Sequence, residues 1–387
     1  MVPDPDLTGE NHPGADNPGS VPPPPLAATP PWSNTMPPAL PGGYPEPVGY
    51  PEPMTLAGPD GALTYLGYPP PMIAEPKPEP LPVEPREYHQ FYRARAFRWW
   101  KPLAALALFA VAWFLVSIPP TMIAVFWDMS QGRELDLQNL NSPALFAANN
   151  VSLALTIPVA LLVHWLIYRQ RPRWLSSITG GFRWGFFGRS VAIAAIGLLA
   201  LLGIQTALAG GVGEMTWDSN SLFLLLVILL TTPFQAAGEE YAMRGLVFRS
   251  VSSWFGNRWV ALGIGIAVNA VFFMLLHGAG DPWLISYYLL VAVVFSVLVW
   301  RTGGLEAAIA LHVVNNLVGE LLLPFQPKAF AQLFERQAGS AGPEVLIQMG
   351  ITVLVGAALL WQASRLKLPR ANAPAARAQP QAPSGLV

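Results

Sequence analysis

Long apolar stretches separated by short polar loops occupy most of the chain after residue 101. A helix needs about 20 predominantly apolar residues to cross the hydrocarbon core of a bilayer. Eight stretches reach this length, near residues 102–127, 144–168, 190–212, 221–254, 259–278, 282–301, 304–323 and 344–364. The pattern predicts an all-α, polytopic membrane helix bundle with about eight transmembrane helices, preceded by a disordered Pro-rich tail.

The fourth stretch, residues 221–254, is too long for a simple membrane span. It contains Pro233 and Gly238, both of which weaken a helix when they lie in its interior. Two interpretations remain open. The stretch is either one long tilted helix or two helices separated by a break near Pro233–Gly238.

The two ends of the chain have a different composition. Residues 1–86 are rich in proline and repeat GYPEP at 43–47 and 49–53, which predicts a disordered cytoplasmic tail. The tail lacks a basic start followed by an apolar run, so no signal peptide is predicted. An alternative hypothesis is that the tail binds a protein partner through an aromatic-lined groove. Residues 87–101 are basic and aromatic, which is typical of a membrane-interface segment. Residues 102–367 form the predicted membrane helical domain, and 368–387 a disordered C-terminal tail.

Charge places the chain in the membrane and suggests its orientation. Charged residues make up 12% of the sequence, against about 25% in a soluble domain. Arginine and lysine concentrate before span one, between spans two and three, and after spans four, six and eight. By the positive-inside rule, this indicates a multi-pass protein of the cell membrane with both termini cytoplasmic. The net charge of −1 gives no support for nucleic-acid binding. The chain contains no cysteine, which excludes thiol nucleophiles and Cys-ligated metals.

Three charged residues interrupt the apolar fourth stretch: Glu239, Glu240 and Arg244. A charge at the centre of a spanning helix costs roughly 2.5–3.5 kcal/mol on insertion scales, so such residues usually have a function. Glu240 and Arg244 are i,i+4 neighbours and can form an ion pair. Glu239 points about 100° away from Glu240 on a helix. One carboxylate can therefore serve as a general base while the other pairs with arginine. A purely structural ion-pair cluster explains the same residues.

Two further polar elements lie on later spans. His277 ends the fifth stretch, with Phe273 one turn before it. His312 and Asn316 lie on one face of the seventh stretch and can together donate hydrogen bonds to a developing oxyanion. They can equally hold two helices together. Because the membrane domain contains few other ionisable groups, the three elements favour one common site.

The motifs Glu-Glu-x-x-x-Arg, Phe-x-x-x-His and His-x-x-x-Asn occur here in order on successive spans. This set resembles the CPBP family of intramembrane endopeptidases (CAAX protease, Abi, bacteriocin-processing), over residues 190–325. The resemblance implies that Glu239 activates the attacking water and His277 holds it. It implies that His312 and Asn316 stabilise the oxyanion, Glu240 and Arg244 support the site, and Phe273 shapes it. The implied substrate is a peptide or membrane-protein segment, lipidated in some members, reached in contact with membrane lipid.

The resemblance leaves the mechanism open between a metal-free glutamate protease and a metalloprotease. Glu239, His277 and His312 would be the ligands of a zinc ion with one open position. No HExxH sequence is present, which excludes the zincin helix. On ideal helices, Glu239 and His277 would lie about 20 Å apart in depth. A shared site therefore requires the fourth span to run long or to break.

Other functions compete with this one. Gly278–Asp281 spells the GxGD of intramembrane aspartyl proteases, but no second Asp lies inside a span, and Asp281 before Pro282 is typical of a helix N-cap. The loop AGSAG at 338–342 has no nearby histidine for serine-protease chemistry. A non-enzymatic scaffold or immunity-type protein would retain the same motifs. A transporter would also carry buried ionisable groups, although no inverted repeat is evident.

Overall fold

The computed structural model describes residues 55–57, 63–65, 80–94, 96–133, 142–333 and 335–373. Within these residues, eight helices are long and apolar enough to cross a membrane. They are α1 (Lys101–Ser130), α2 (Pro143–Tyr168), α3 (Trp184–Leu208), α4 (Asn220–Ser252), α5 (Arg258–Leu276), α6 (Pro282–Thr302), α7 (Glu306–Phe325) and α8 (Val345–Arg365). The predicted all-α membrane bundle and its number of spans are confirmed.

The chain divides into two compact units, Met1–Glu75 and Pro76–Val387. The described part of the first unit is an antiparallel pair of strands, β1 (Thr55–Ala57) and β2 (Leu63–Tyr65). This pairing is regular structure that the Pro-rich composition did not predict, and it uses Thr, Leu and Tyr residues between the prolines. The rest of the predicted tail up to residue 79 lies outside the described residues, as do residues 374–387 of the predicted C-terminal tail.

Helix α4 decides between the two interpretations of the long fourth stretch. The chain is helical without a break from Ser219 to Ser252, and Pro233 lies inside the helix. Asp218 caps the start by accepting the backbone N–H of Asn220 and of Ser221. One long helix is therefore correct, and the predicted break near Pro233–Gly238 is absent from this part of the structure.

The second half of α4 changes its winding directly after the two glutamates. Tyr241–Val247 form a π-helical segment before α-helix resumes at Phe248. Asn269 of α5 donates its side-chain N–H to the Met243 carbonyl over 2.7 Å, and Ser296 of α6 donates to Asn269 over 3.2 Å. π-helical turns are rare and often lie at functional sites. The segment therefore supports a functional role for the adjacent glutamates.

The segments that flank the bundle meet on one side of it. Glu87 and Ala371 form a β-bridge, and the Arg86 N–H donates to the Asn372 side chain over 2.7 Å. The predicted interface segment 87–101 is divided: Tyr88–Tyr92 are buried against the bundle, whereas Trp99 and Trp100 are exposed. An even number of spans requires this same-side arrangement, and the bridge provides it.

The buried flanking segment contacts the far end of α4. The guanidinium of Arg249, fully buried, lies 3.6 Å from the centre of the Tyr88 ring and donates to the Trp174 carbonyl over 2.7 Å. Burial raises the pKa of Tyr88, so its phenol stays protonated and donates to the Leu175 carbonyl over 2.6 Å. That this end of the bundle faces the cytoplasm remains a prediction. The packing of the flanking segment holds the end of α4, the helix that carries the glutamates, in place.

Candidate active site

Glu239 and Glu240 have different surroundings although they are adjacent in α4. Glu240 is fully buried, and its Oε1 accepts from Arg244 Nη1 over 3.0 Å within the i,i+4 ion pair. The side chain of Glu239 keeps 13% of its surface exposed. Its Oε2 is enclosed and has no hydrogen-bond partner among the described residues. Oε2 of Glu240 likewise has no hydrogen-bond partner among the described residues. The two carboxylates differ in that Glu240 is fully buried and paired with Arg244, whereas Glu239 is partly exposed and accepts from a neutral amide.

His312 joins the two glutamates from α7. Its Nδ1 lies 2.9 Å from Glu240 Oε1, and its Nε2 lies 3.8 Å from Glu239 Oε2. A carboxylate is an acceptor, so Nδ1 carries a hydrogen in this arrangement. The second distance is too long for a direct hydrogen bond. The imidazole is consequently held by one glutamate and faces the free oxygen of the other.

An amide pair continues the site along the same two helices. Gln235 lies one turn before Glu239 and donates its side-chain N–H to Glu239 Oε1 over 2.5 Å. Asn316, one turn after His312, donates to Gln235 Oε1 over 3.1 Å. Sequence reasoning identified Asn316 but missed Gln235, although its i,i+4 spacing from Glu239 was a usable signal. The structure connects Asn316 to the proposed base through this glutamine.

Phe273 lies between the histidines. Its ring centre is 4.4 Å from that of His277 and 6.3 Å from that of His312. The guanidinium carbon of Arg244 lies 4.4 Å from the same ring centre and forms a cation–π contact with it. His277 Nδ1 is 2.8 Å from the Phe273 carbonyl, which is an acceptor, so its Nε2 is left to act on a ligand. The structure thus brings all seven sequence-predicted residues to one region, listed as Glu239, Glu240, Arg244, Phe273, His277, His312 and Asn316.

His277 lies near the glutamates in the structure, despite the difference in membrane depth that ideal helices predict. The Phe273 ring links the two: its centre lies 4.4 Å from the His277 ring and 6.3 Å from the His312 ring. His312 Nε2 in turn lies 3.8 Å from Glu239 Oε2. The estimate of about 20 Å assumed straight parallel spans that start level with the membrane faces. A shared site required the fourth span to run long or to break, and α4 meets this requirement because it is long.

Two residues outside the predicted set surround His277. The ring of Tyr288 on α6 lies 4.1 Å from the His277 ring. Arg336, in the loop between α7 and α8, donates to the Tyr288 hydroxyl over 2.5 Å and to the His277 carbonyl over 3.4 Å. Neither residue had a sequence signal, because each approaches from a segment that no motif connects to His277.

The three candidate ligands of a zinc ion do not converge in the structure. Glu239, His277 and His312 would have to converge on one point at about 2.0–2.2 Å. Among the described residues, no group of three or more His, Asp or Glu side chains is arranged to hold a metal ion. The residues as placed do not fit a three-ligand zinc site.

Asp281 has the structural role that its position before Pro282 suggests. Its carboxylate accepts the backbone N–H groups of Trp283 and Leu284 and so caps α6. Its second oxygen accepts from the Gly339 N–H over 2.8 Å. These contacts explain the GxGD sequence as a helix cap rather than as an aspartyl-protease site.

The central part of the chain matches a known protein-family model. Residues 219–318 match the family model described as "Type II CAAX prenyl endopeptidase Rce1-like". The match contains every residue of the three motifs and confirms the resemblance to the CPBP family. No significant match was found among the curated proteins or the solved structures.

Proposed function

We propose, from the match of residues 219–318 to the Rce1-like endopeptidase model, that this multi-pass membrane protein hydrolyses a peptide bond in or near the membrane by a metal-free, glutamate-dependent mechanism. The observation that carries the proposal is the contrast between Glu240, which is fully buried and paired with Arg244, and Glu239, which is partly exposed and hydrogen-bonded to a neutral amide. Glu239 Oε2 is enclosed and without a hydrogen-bond partner, 3.8 Å from His312 Nε2. A water molecule bound to this oxygen would be the nucleophile.

The proposed reaction begins with general-base catalysis by Glu239. The carboxylate takes one proton from water while the water oxygen bonds to the carbonyl carbon of the substrate. The carbonyl electrons move to oxygen and form a tetrahedral oxyanion. Glu239 then returns the proton to the amide nitrogen, and the oxyanion electrons re-form the C=O bond as the C–N bond breaks. The products are an amine and a carboxylic acid, which afterwards ionises in water. His277 would hold the water through its free Nε2.

His312 and Asn316 are the proposed donors to the oxyanion. When both ring nitrogens of His312 are protonated, Nδ1 stays bonded to Glu240 and Nε2–H is free to donate. Asn316 uses one amide hydrogen on Gln235 and has a second one available. Donors held in place before reaction stabilise developing charge without reorganisation. Glu240 and Arg244 would contribute by fixing the His312 ring, and Phe273 by shaping the space between the histidines.

The proposed substrate is a peptide or a membrane-protein segment, reached within the membrane and in contact with lipid. A prenylated or otherwise lipidated peptide is the form that the family description suggests. No nucleic acid is proposed as a partner. The hypothesis that the Pro-rich tail binds a protein partner concerns residues that, except for 55–57 and 63–65, lie outside the described part up to residue 79.

The decisive experiment measures peptide cleavage by the full chain reconstituted in lipid vesicles. Glu239→Gln keeps the shape of the side chain and an acceptor for Gln235 but cannot take a proton. We expect its single-turnover rate to fall about 10²–10⁴-fold, the usual contribution of a general base. Glu214→Gln, in the exposed loop before α4, is the matched control and should retain full activity.

The same assay separates the proposal from its competitors. Equal cleavage by wild type and Glu239→Gln would exclude Glu239 as the base. Cleavage that disappears with a zinc chelator and returns with zinc would favour the metalloprotease mechanism. Full biological activity of Glu239→Gln, His277→Ala and His312→Ala together would favour a non-enzymatic scaffold.

A further inference from the structure

The polar contacts between α4 and α7 extend beyond the motif residues. Along α7, His312, Asn316 and Glu320 follow at i, i+4 and i+8 and share one face. Their partners on α4 run in the opposite direction: Glu239 and Glu240 opposite His312, then Gln235, then Thr232. The three levels are joined at 2.9 Å, 3.1 Å and 2.7 Å respectively. We call this set the polar row.

Glu320 ends the polar row and lies two residues beyond the segment matched by the family model. Its Oε2 accepts a hydrogen bond from the Thr232 hydroxyl, which in turn accepts from Asn150 of α2 over 3.2 Å. These partners are neutral. The ion pairs formed between described residues do not include Glu320. Glu320 is thus a half-buried acid at the end of the polar row, and no cation pairs with it among the described residues.

This isolation contrasts with two fully buried acids of the bundle, Glu240 and Glu306. Glu240 is paired with Arg244, and Glu306 is paired with Arg183 over 2.6 Å. Acids within spanning segments are costly and normally pair with a positive group. A carboxylate withdrawn from water without such a partner is destabilised, because it loses hydration and gains no opposite charge. A cationic ligand that arrives with the substrate would supply the missing partner.

We propose that Glu320 is a specificity-determining residue that binds a positively charged side chain of the peptide substrate. The inference rests on the proposed endopeptidase function. Eight residues along α7 separate Glu320 from His312, which corresponds to about 12 Å at 1.5 Å per residue. An extended peptide covers this distance in roughly three or four residues. The favoured lysine or arginine therefore lies about three or four residues from the cleaved bond.

The test uses internally quenched apolar peptides and the full chain in lipid vesicles. A single lysine is placed two to five residues from the cleaved bond on either side, and each peptide is compared with one carrying norleucine at the same position. We expect wild type to show a lysine-to-norleucine ratio of kcat/KM of about ten or more at one position, as expected for a charge-assisted hydrogen bond. Both peptides are measured with the same enzyme preparation. A partial loss of folded protein lowers both values of kcat/KM equally and leaves their ratio unchanged.

Two substitutions then address Glu320 itself. Glu320→Gln keeps an acceptor for Thr232 and should reduce the ratio to about one. Glu320→Lys should favour a peptide with glutamate at that position over one with lysine. Thr232→Val is the matched control, because it removes the hydroxyl but keeps the carboxylate, and it should preserve the lysine preference.

Each failure has a distinct meaning. If wild type cleaves peptides but lysine never exceeds norleucine at any position, the inference about Glu320 is wrong while the endopeptidase function stands. If folded Glu320→Gln loses cleavage of both peptides equally, Glu320 belongs to the chemistry or the fold and does not select substrate. If wild type cleaves no peptide, the proposed function fails, and this inference fails with it.

Discussion

At the scale of single residues, burial and pairing distinguish two neighbouring carboxylates of identical chemistry. Glu240 shares its Oε1 with Arg244 and His312, and all three side chains are almost fully enclosed. Glu239 has one oxygen bonded to a neutral amide and the other without a partner. Oε2 of Glu240 also lacks a partner among the described residues, so the two residues differ in exposure and in the charge of the bound group: Glu240 is buried against a cation, whereas Glu239 is partly exposed beside a neutral amide. The partly exposed carboxylate is the one proposed as the base.

The ion pair of Glu240 with Arg244 yields a prediction about stability. Arg244→Met keeps much of the side-chain volume but leaves Glu240 without its guanidinium. Removing one partner of a buried pair costs about 3–5 kcal/mol. We expect a large drop in the unfolding midpoint of the detergent-solubilised protein, measured by thermal denaturation.

Arg258→Met is the matched control, since Arg258 pairs with Glu87 over 2.7 Å but has 52% of its side chain exposed. Exposed pairs contribute only about 0–1 kcal/mol. Similar midpoints for the two variants would show that the Glu240–Arg244 pair is not a buried structural support.

At the scale of elements, close contact between α2 and α4 determines where the glutamates lie. A Cβ atom at Gly238 would lie 2.0 Å from the Leu153 carbonyl oxygen and 2.6 Å from Thr156 Oγ1. Only glycine permits this approach. The residue that appeared in the sequence as a possible break is therefore a packing contact, and it directly precedes Glu239.

Gly238→Ala should push α2 and α4 apart and displace the glutamates. Forced overpacking costs about 1–3 kcal/mol, and a displacement of the base reduces cleavage as well. Gly263→Ala on α5 is the control, because its Cβ would meet nothing within 4 Å. We expect loss of cleavage and a lower unfolding midpoint for Gly238→Ala only. Wild-type behaviour of Gly238→Ala would show that this contact does not position the site.

At the scale of the whole molecule, the bridge between Glu87 and Ala371 places both flanks of the bundle on one side. The charge distribution predicts that this side is cytoplasmic and that the bundle lies in the cell membrane. The orientation matters for function, because it determines which aqueous compartment is next to Arg249 and which is next to the loop that carries Arg336.

The absence of cysteine makes this orientation directly measurable. Single substitutions Glu214→Cys and Arg370→Cys introduce one thiol each at exposed positions on opposite sides of the bundle. In intact cells, a membrane-impermeant maleimide should label Glu214→Cys and leave Arg370→Cys unlabelled until the membrane is permeabilised. Labelling of Arg370→Cys alone in intact cells would invert the proposed topology.

The sequence by itself determined the number of spans and the i,i+4 relation of Glu240 to Arg244. Bilayer thickness imposes a minimum apolar length on each span, and helix geometry relates residues one turn apart. Both are local properties that a single sequence contains. The same reasoning placed His312 and Asn316 on one face of α7.

Only the tertiary structure decided which faces meet. The contacts of Asn316 with Gln235, of Glu320 with Thr232 and of Tyr288 with His277 join separate helices. They depend on how the helices cross and on close approaches such as that of Gly238, which hydropathy does not specify. The π-helical turn after Glu240 and the burial of Tyr88 beside Arg249 likewise arise from packing against neighbours distant in sequence.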